Sequence, residues 1–584
     1  MKTILIYPYF LDPRPPGDDA AAPPMGIYYV GAILKAHGYE VQIFNWYGAE
    51  RGNPAPLRER LKAADPDIIG FSVLNANRWG ALEIAALAKE IKPGVIIVLG
   101  GIGATCLWEF LLTHFKQIDY IIRGEGERSF LELVQCIQRQ AWEELKPIPG
   151  LARRSGTGRI LGNPPRPPER NLDDLPMPAR YFSFQHLALS RGCASRCTFC
   201  GSPDFWQGKL RFHSPDYLIT QIELLHQQGI NFFFVSDDTF TASKPRVLAV
   251  CRGIIAKGLP IQWAAIARVD QVDGEMLSWM RRAGCIQISY GVESGDPQIR
   301  ERLNKGVDDS RIERAFELTR GYGLLARAYF IYGSPGESDE TIQASLDLIQ
   351  RIKPLAAIFY ILDIFPGTQL YQDFKARTGA GDEIWLQPME DIMYFQTDPR
   401  LKPETIRRWG QRLRDGFHSR LPQFIEDLEL VDDPELTTWH ADFYSRLGLT
   451  LLSGDYAALE TIPRKAETAA LCFRRALTYQ PNARAYLGLA ILAQKEGRPG
   501  EAIQTAREGL SHFAGHPDLT LCLGVGYLAA GDAAAALACF EQFPQAPNSL
   551  SYRIVCHEAL GQQAKADALR RLQSTPPAMD SPGS

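Results

Sequence analysis

The chain has 584 residues, of which 45% are hydrophobic and 22% charged, and its formal net charge at pH 7 is −4. This length is too great for one core and predicts about three or four domains. The composition excludes general disorder, and the modest charge argues against a broad nucleic-acid or anionic-membrane surface. Eleven scattered cysteines in so long a chain do not read as a secreted disulfide scaffold, and no run of eighteen apolar residues is found. MKTILIYPYF opens directly as a strand, so a cytoplasmic protein without a membrane span is expected.

Over residues 1–137, short apolar runs (KTILIYPYF, YEVQIFNW, DIIGFSVLN, VIIVLGG, YIIRGE) alternate with amphipathic segments such as GIYYVGAILKAHG and GALEIAALAKEI. Strands alternating with helices predict a doubly wound, Rossmann-like parallel sheet. Such a sheet binds ligands beyond the carboxyl ends of its strands. The loops there contain Ser72-Val73-Leu74, Gly100-Gly101-Ile102-Gly103 and Gly124-Glu125-Gly126-Glu127, whose small residues let a ligand approach the backbone. No G-x-G-x-x-G follows the first strand, which argues against a dinucleotide. Residues 138–185 are rich in Pro, Gly and Arg, with a Ser-Gly-Thr-Gly stretch suited to a hairpin, and read as a linker.

Residues 186–380 resume the alternation for six units, with strands expected at HLALSRG, NFFFVSDD, IQWAAIAR, IQISYGVES, ARAYFIYG and AIFYILDIF. Six such units predict an α/β domain of the partial (βα)6 barrel type, with its chemistry at the carboxyl ends of the strands. Those ends carry Cys193, Cys197 and Cys200, then Asp237-Asp238, Arg268, Glu293 and Gly333-Ser334-Pro335-Gly336-Glu337. Residues 381–440 read as a helical extension. Over 441–574 the chain turns Ala- and Leu-rich, and AYLGLAILAQKEGRPGEAIQTAREGL is echoed by LCLGVGYLAAGDAAAALACFEQF. Gly488 to Gly524 and Gly497 to Gly531 give a period of roughly 34–36 residues, that of α-helical tetratricopeptide-like repeats, which usually present a concave surface to peptide or protein. Residues 575–584 have the composition of a flexible tail.

RGCASRCTFC, residues 191–200, spaces its cysteines as C-x3-C-x2-C with no fourth. A zinc site wants a fourth ligand, and the spacing to the nearest candidate, His213, matches no common zinc module. A cubane iron-sulfur cluster held at three irons leaves the fourth iron open to a ligand that is not protein.

This triplet, just after the first barrel strand and with Phe199 before its last cysteine, resembles the radical S-adenosylmethionine (SAM) superfamily. The resemblance implies a 4Fe-4S cluster on Cys193, Cys197 and Cys200, with SAM chelating the open iron. Reductive cleavage of SAM then yields methionine and a 5′-deoxyadenosyl radical that abstracts hydrogen. By the same resemblance Asp237 or Asp238 in VSDDTF holds the methionine amino group. Arg268 offers two parallel donors to a carboxylate, Glu293 in YGVESG accepts from ribose, and Gly333 and Pro335 in FIYGSPGE pack by the adenine.

A doubly wound domain ahead of this barrel resembles the cobalamin-binding subclass, and the resemblance covers roughly residues 1–400. Ser72 and Leu74 match its S-x-L element and Gly100-Gly101 its G-G element, both lining the slot for the nucleotide tail, and Gly124 and Glu125 are assigned to the same cofactor. D-x-H-x-x-G is absent, so the resemblance implies base-off cobalamin without a histidine ligand.

The function implied is a cobalamin-dependent radical SAM methyltransferase that uses two SAM molecules on an unactivated carbon or phosphorus centre. The alternative is a cyclase or rearrangement enzyme with the same cofactors. Methylthiolation of transfer RNA would require three further cluster cysteines in the first domain, which has only Cys106 and Cys136. The implied partners are a small-molecule, carrier-bound or peptide substrate, an electron donor such as flavodoxin or ferredoxin, and a protein at the repeats. No nucleic acid is expected.

Overall fold

The structure, a computed structural model, describes residues 1–12 and 21–573. The flexible tail expected at 575–584, and part of the loop after the first strand, lie outside the described residues. Two compact units result, one of residues 1–319 with 326–414 and one of residues 320–325 with the chain from 415 onward.

The first unit opens with β1 (Lys2–Tyr7), α1 (Met25–Ala36), β2 (Glu40–Asn45), α2 (Ala55–Ala64), β3 (Ile68–Ser72), α3 (Arg78–Ile91) and β4 (Ile96–Gly100). It continues through α4 (Ile102–Cys106), α5 (Trp108–His114), β5 (Tyr120–Ile122), α6 (Glu127–Gln138), β6 (Leu151–Arg154) and β7 (Ile160–Gly162). The sheet order is β2-β1-β3-β4-β5-β6-β7, parallel through β5 and antiparallel thereafter. The hairpin in the presumed linker thus extends the first sheet. Both faces are covered, so the central strands β3 and β4 are almost wholly apolar. Ile4, Ile6, Ile69, Phe71, Ile97 and Leu99 enter the core on one face, and Leu5, Tyr7, Ile68 and Val98 that on the other.

The second sheet begins at β8 (His186–Leu187), after which the chain forms β9 (Ser190–Arg191), α7 (Ser202–Phe205), β10 (Arg211–Phe212), α8 (Pro215–Gln227) and β11 (Phe232–Val235). There follow α9 (Lys244–Ala256), β12 (Gln262–Ala267), α10 (Gly274–Arg282), β13 (Cys285–Glu293), α11 (Pro297–Arg302), α12 (Asp309–Gly321), β14 (Leu325–Tyr332), α13 (Asp339–Ile352) and β15 (Ala356–Ile361). The order β15-β14-β13-β12-β11-β8 places each strand beside its successor, as in an open partial barrel.

The long strand expected at HLALSRG is broken. Asp237 accepts the amide N–H groups of Leu189 (3.0 Å) and Ser190 (2.6 Å), taking them from any sheet ladder, and β9 pairs instead with β10. After the barrel, β16 (Asp363–Ile364) and β17 (Ile392–Met393) pair antiparallel on either side of α14 (Gln369–Thr378), and α15 (Pro403–His418) follows.

The second unit is helical: α16 (Leu421–Glu426), α17 (Thr437–Leu452), α18 (Lys465–Tyr479), α19 (Ala483–Lys495), α20 (Pro499–His512), α21 (Pro517–Ala529), α22 (Ala533–Phe540), α23 (Ser549–Ala559) and α24 (Gln563–Gln573). The periodic glycines answer two recurring demands. Gly488 and Gly524 lie where a Cβ would approach the rings of Phe473 (2.2 Å) and Phe540 (2.9 Å), so helices cross closely there. Gly497 and Gly531, with φ of +72° and +84°, close the turns after α19 and α21. Phe473 is fully buried and also meets Gly448 of α17. Phe473→Ala is expected to destabilise the helical unit by about 3–5 kcal/mol, read as a lower urea midpoint by circular dichroism.

Candidate cofactor cavity and cysteine loop

The cysteine loop leaves the barrel between β9 and α7, and its shape is set by backbone bonds to distant segments. Thr198 donates its N–H to Leu303 O (3.1 Å) and accepts from the Leu370 N–H (3.0 Å), and the Asn304 side chain donates to Arg196 O (2.6 Å). Gly192, ahead of the first cysteine, has a φ of +97°, and a Cβ there would strike Lys209 O at 2.1 Å. Cys193, Cys197 and Cys200 are free thiols of intermediate exposure. Burial pushes the Cys197 thiol above its ordinary range and that of Cys200 up to about 11.

Two cations stand by this loop. Arg268 donates to Ser195 Oγ (2.8 Å) and is clamped by Asp270. Lys305, absent from the sequence-based candidates, donates to Glu293 at 2.7 Å, and its charge partly offsets the upward shift that burial gives Cys197. Glu293 holds a left-handed backbone (φ +68°) at the end of β13. Gly333 is also left-handed, at +79°, and Pro335 O accepts from Arg302.

Beside the loop lies a cavity of about 680 Å³. Its first-domain wall includes Ser72, Leu74, Gly100, Gly101, Gly124 and Glu125, and its barrel wall includes Cys200, Asp238, Phe234 and Ile266. The structure therefore brings the expected cobalamin residues and one cluster cysteine onto one space, while Arg268, Glu293, Gly333 and Pro335 are not among the residues lining it. Gly101 and Gly103 serve to interlock two loops, since a Cβ would meet Val73 O or the Leu74 carbonyl carbon at 2.6 Å. Gly124 has nothing within 4 Å of its absent Cβ and leaves space for a ligand.

The neighbouring aspartates separate. Asp237 is buried, bonded to Leu189, Ser190 N–H and the Ser190 hydroxyl, and burial raises its pKa to about 6. Asp238 opens on the cavity, accepts from Ser202 Oγ (2.9 Å), and is likewise shifted up by desolvation.

Glu125 lines the cavity, but its oxygens are engaged by Arg191 (2.7 Å) and Arg211 (2.9 Å). Arg191 also reaches Glu127 (2.8 Å) and lies over the Tyr29 ring. Burial opposes charge on Arg191, but the two glutamates outweigh it and hold its proton more firmly than usual. His213, the zinc candidate, stacks between Tyr29 and Tyr217, with Nε2 2.9 Å from the Tyr29 hydroxyl and Nδ1 3.0 Å from Asp173. Burial, with Arg191 adding to it, lowers its pKa to about 4, so the neutral ring donates to Asp173 and accepts from Tyr29. Both nitrogens are occupied, and among the described residues no three His, Cys, Asp or Glu side chains are grouped to hold a single metal ion. Three thiols with two cations alongside fit a larger anionic cluster instead.

Residues 19–134 match the B12 binding domain and residues 187–349 the Radical SAM superfamily. An uncharacterized methyltransferase of Pyrococcus horikoshii is 30% identical over 423 residues, covering 70% of this chain and 90% of that protein. The chain belongs to the cobalamin-binding radical SAM family. An anaerobic magnesium-protoporphyrin IX monomethyl ester cyclase of Rubrivivax gelatinosus is 26% identical over 452 residues, covering 74% of this chain and 79% of that one. The fold is shared with the radical SAM methyltransferase TsrM of Kitasatospora setae, solved with cobalamin and a [4Fe-4S] cluster (TM-score 0.59, 18% identity, 82% of this chain and 100% of that chain). Members of the family are enzymes that use a 4Fe-4S cluster, SAM and cobalamin, and draw on a reductant. No helix among the described residues is long and apolar enough to cross a membrane.

Two predictions test these contacts. Lys305→Met strands buried Glu293 and is expected to cost about 3 kcal/mol, most of it recovered in the Lys305→Met/Glu293→Gln double variant, as read by thermal denaturation. Because His213 stays neutral in the fold, the unfolded chain binds the extra proton between pH 6.5 and about 4. Stability is therefore lost as pH falls through that window, by about 3 kcal/mol for this group, and His213→Gln should flatten the loss in urea titrations.

Proposed function

We propose that the chain is a cobalamin-dependent radical SAM methyltransferase acting on an unactivated carbon or phosphorus centre. The observation that carries the reading is the single cavity on which Ser72, Leu74, Gly100 and Gly101 face Cys200 and Asp238. A methyl carrier and a radical source must share a substrate, and one space between their binding residues meets that need.

Cys193, Cys197 and Cys200 hold the cluster, whose basic neighbours Arg268 and Lys305 offset its charge and offer donors to the SAM carboxylate. Asp238 accepts from the SAM amino group, and Glu293, Gly333 and Pro335 attend the ribose and adenine. Bound together, the cofactors supply reductive cleavage of SAM and methyl transfer. Ser72, Leu74, Gly100, Gly101 and Gly124 seat cobalamin. Base-off binding without a histidine ligand would go with this seat, as the missing D-x-H-x-x-G implies. Phe234, Ala264 and Ile266 give the barrel side of the same cavity an apolar surface. A flavodoxin or ferredoxin of the cytoplasm delivers the electron. The substrate is a small molecule, free or carried on a protein or peptide that the repeat helices receive.

Ring closure without methyl transfer is the second reading, favoured by the name of the Rubrivivax relative. Anaerobic reconstitution with iron, sulfide and hydroxocobalamin, followed by reductant and SAM, separates the two. Methyl transfer predicts S-adenosylhomocysteine together with 5′-deoxyadenosine, and Cys200→Ala should lose both along with bound iron. Deoxyadenosine alone would move the assignment to ring closure, and failure to retain cobalamin would sink the first-domain reading.

A further inference from the structure

Around Arg327, the other ionisable side chains that line the cavity have hydrogen-bond partners. Arg191 is paired with Glu125 and Glu127, Asp238 takes the Ser202 hydroxyl, and His213 is neutral between Tyr29 and Asp173. Arg327, on β14, also lines the cavity; the side chain is partly buried, and its Nε is fully buried with no acceptor. A buried N–H donor without an acceptor is costly unless a ligand supplies one.

The surroundings define that ligand. His186, Phe234, Ala264 and Gln287 stand level on four adjacent strands, and Ile266 and Ser289 form the next level toward the carboxyl ends. Tyr329 follows Arg327 on the same face of β14. Ile266 is 38% exposed although it sits within the barrel, so an apolar wall stands open. Tyr332, the last residue of β14, lies five positions beyond Arg327, a distance of about 17 Å along the strand. The cysteine loop and Asp238 lie toward the carboxyl ends.

We propose that the barrel end of the cavity selects a substrate with a terminal oxyanion, a carboxylate or phosphate, on an elongated apolar body, and that Arg327 receives that group. A guanidinium offers two parallel donors to either oxyanion. Anchoring there leaves the far end of the molecule at the cofactors and disfavours acids as small as a single amino acid. The inference rests on the reading of this cavity as the substrate site and adds the class of substrate.

The test is calorimetric titration of the cluster- and cobalamin-loaded protein with pyrene-1-butyrate, its uncharged primary amide, and 4-(pyren-1-yl)butyl phosphate. At least one anion should bind about tenfold or more tightly than the amide. The preference should vanish in Arg327→Gln, return in part in Arg327→Lys, and persist in the exposed-surface variant Arg407→Gln. Carboxylate and phosphate affinities identify which oxyanion fits. No preference over the amide, or a preference that survives Arg327→Gln, overturns the proposal. Should Arg327→Gln fail to fold, the wild-type comparison and Arg327→Lys decide. Parallel assay of S-adenosylhomocysteine keeps the two readings apart: its formation without an anion preference sinks the substrate class alone, and an anion preference without it sinks methyl transfer alone.

Discussion

Two arginines shared between two glutamates fasten the first sheet to the barrel, and both faces of the cavity are set by that joint. Arg191 and Arg211 come from β9 and β10, Glu125 and Glu127 from the turn into α6. Buried ion pairs contribute little net stability, because desolvation offsets attraction, but an unmatched charge is severely penalised. Such a joint therefore fixes position more than it adds strength. Cys193 lies two residues beyond Arg191, and Gly124 one residue before Glu125. The spacing between the cluster loop and the cobalamin wall is thus referred to a few charge-assisted hydrogen bonds.

The same economy shapes the start of the barrel. Asp237 claims the amides of Leu189 and Ser190, so the chain leaves the sheet after Leu187 and is free to pair with β10. Arg191 then reaches the first domain. One buried carboxylate ends a strand, redirects the cysteine loop and delivers the arginine of the joint.

Much of the architecture was legible because both sheets are written in apolar runs bounded by Gly, Asp and Pro, and because the cysteine spacing is local. Long-range charge pairing was not legible. Nothing near Glu125 announces Arg191 or Arg211, which lie 66 and 86 residues away, and Lys305 lies 12 residues beyond Glu293. Asp237 and Asp238 could not be told apart in sequence. Adjacent residues leaving a strand take opposite sides, so one is buried as an acceptor for backbone amides and the other opens on the cavity. The hairpin at 151–162 hid in a Pro- and Gly-rich stretch because edge strands tolerate that composition.

The open apolar wall also bears on how much of the protein a cell can hold. A cavity of about 680 Å³ with Ile266 standing bare is a place where the folded chain gains stability only when something fills it. Ligands that bind the native state alone raise its stability by mass action. The supply of whatever fills that space thereby becomes a determinant of abundance: starved of it, a cell making the same number of chains would keep fewer of them beyond the reach of its proteases.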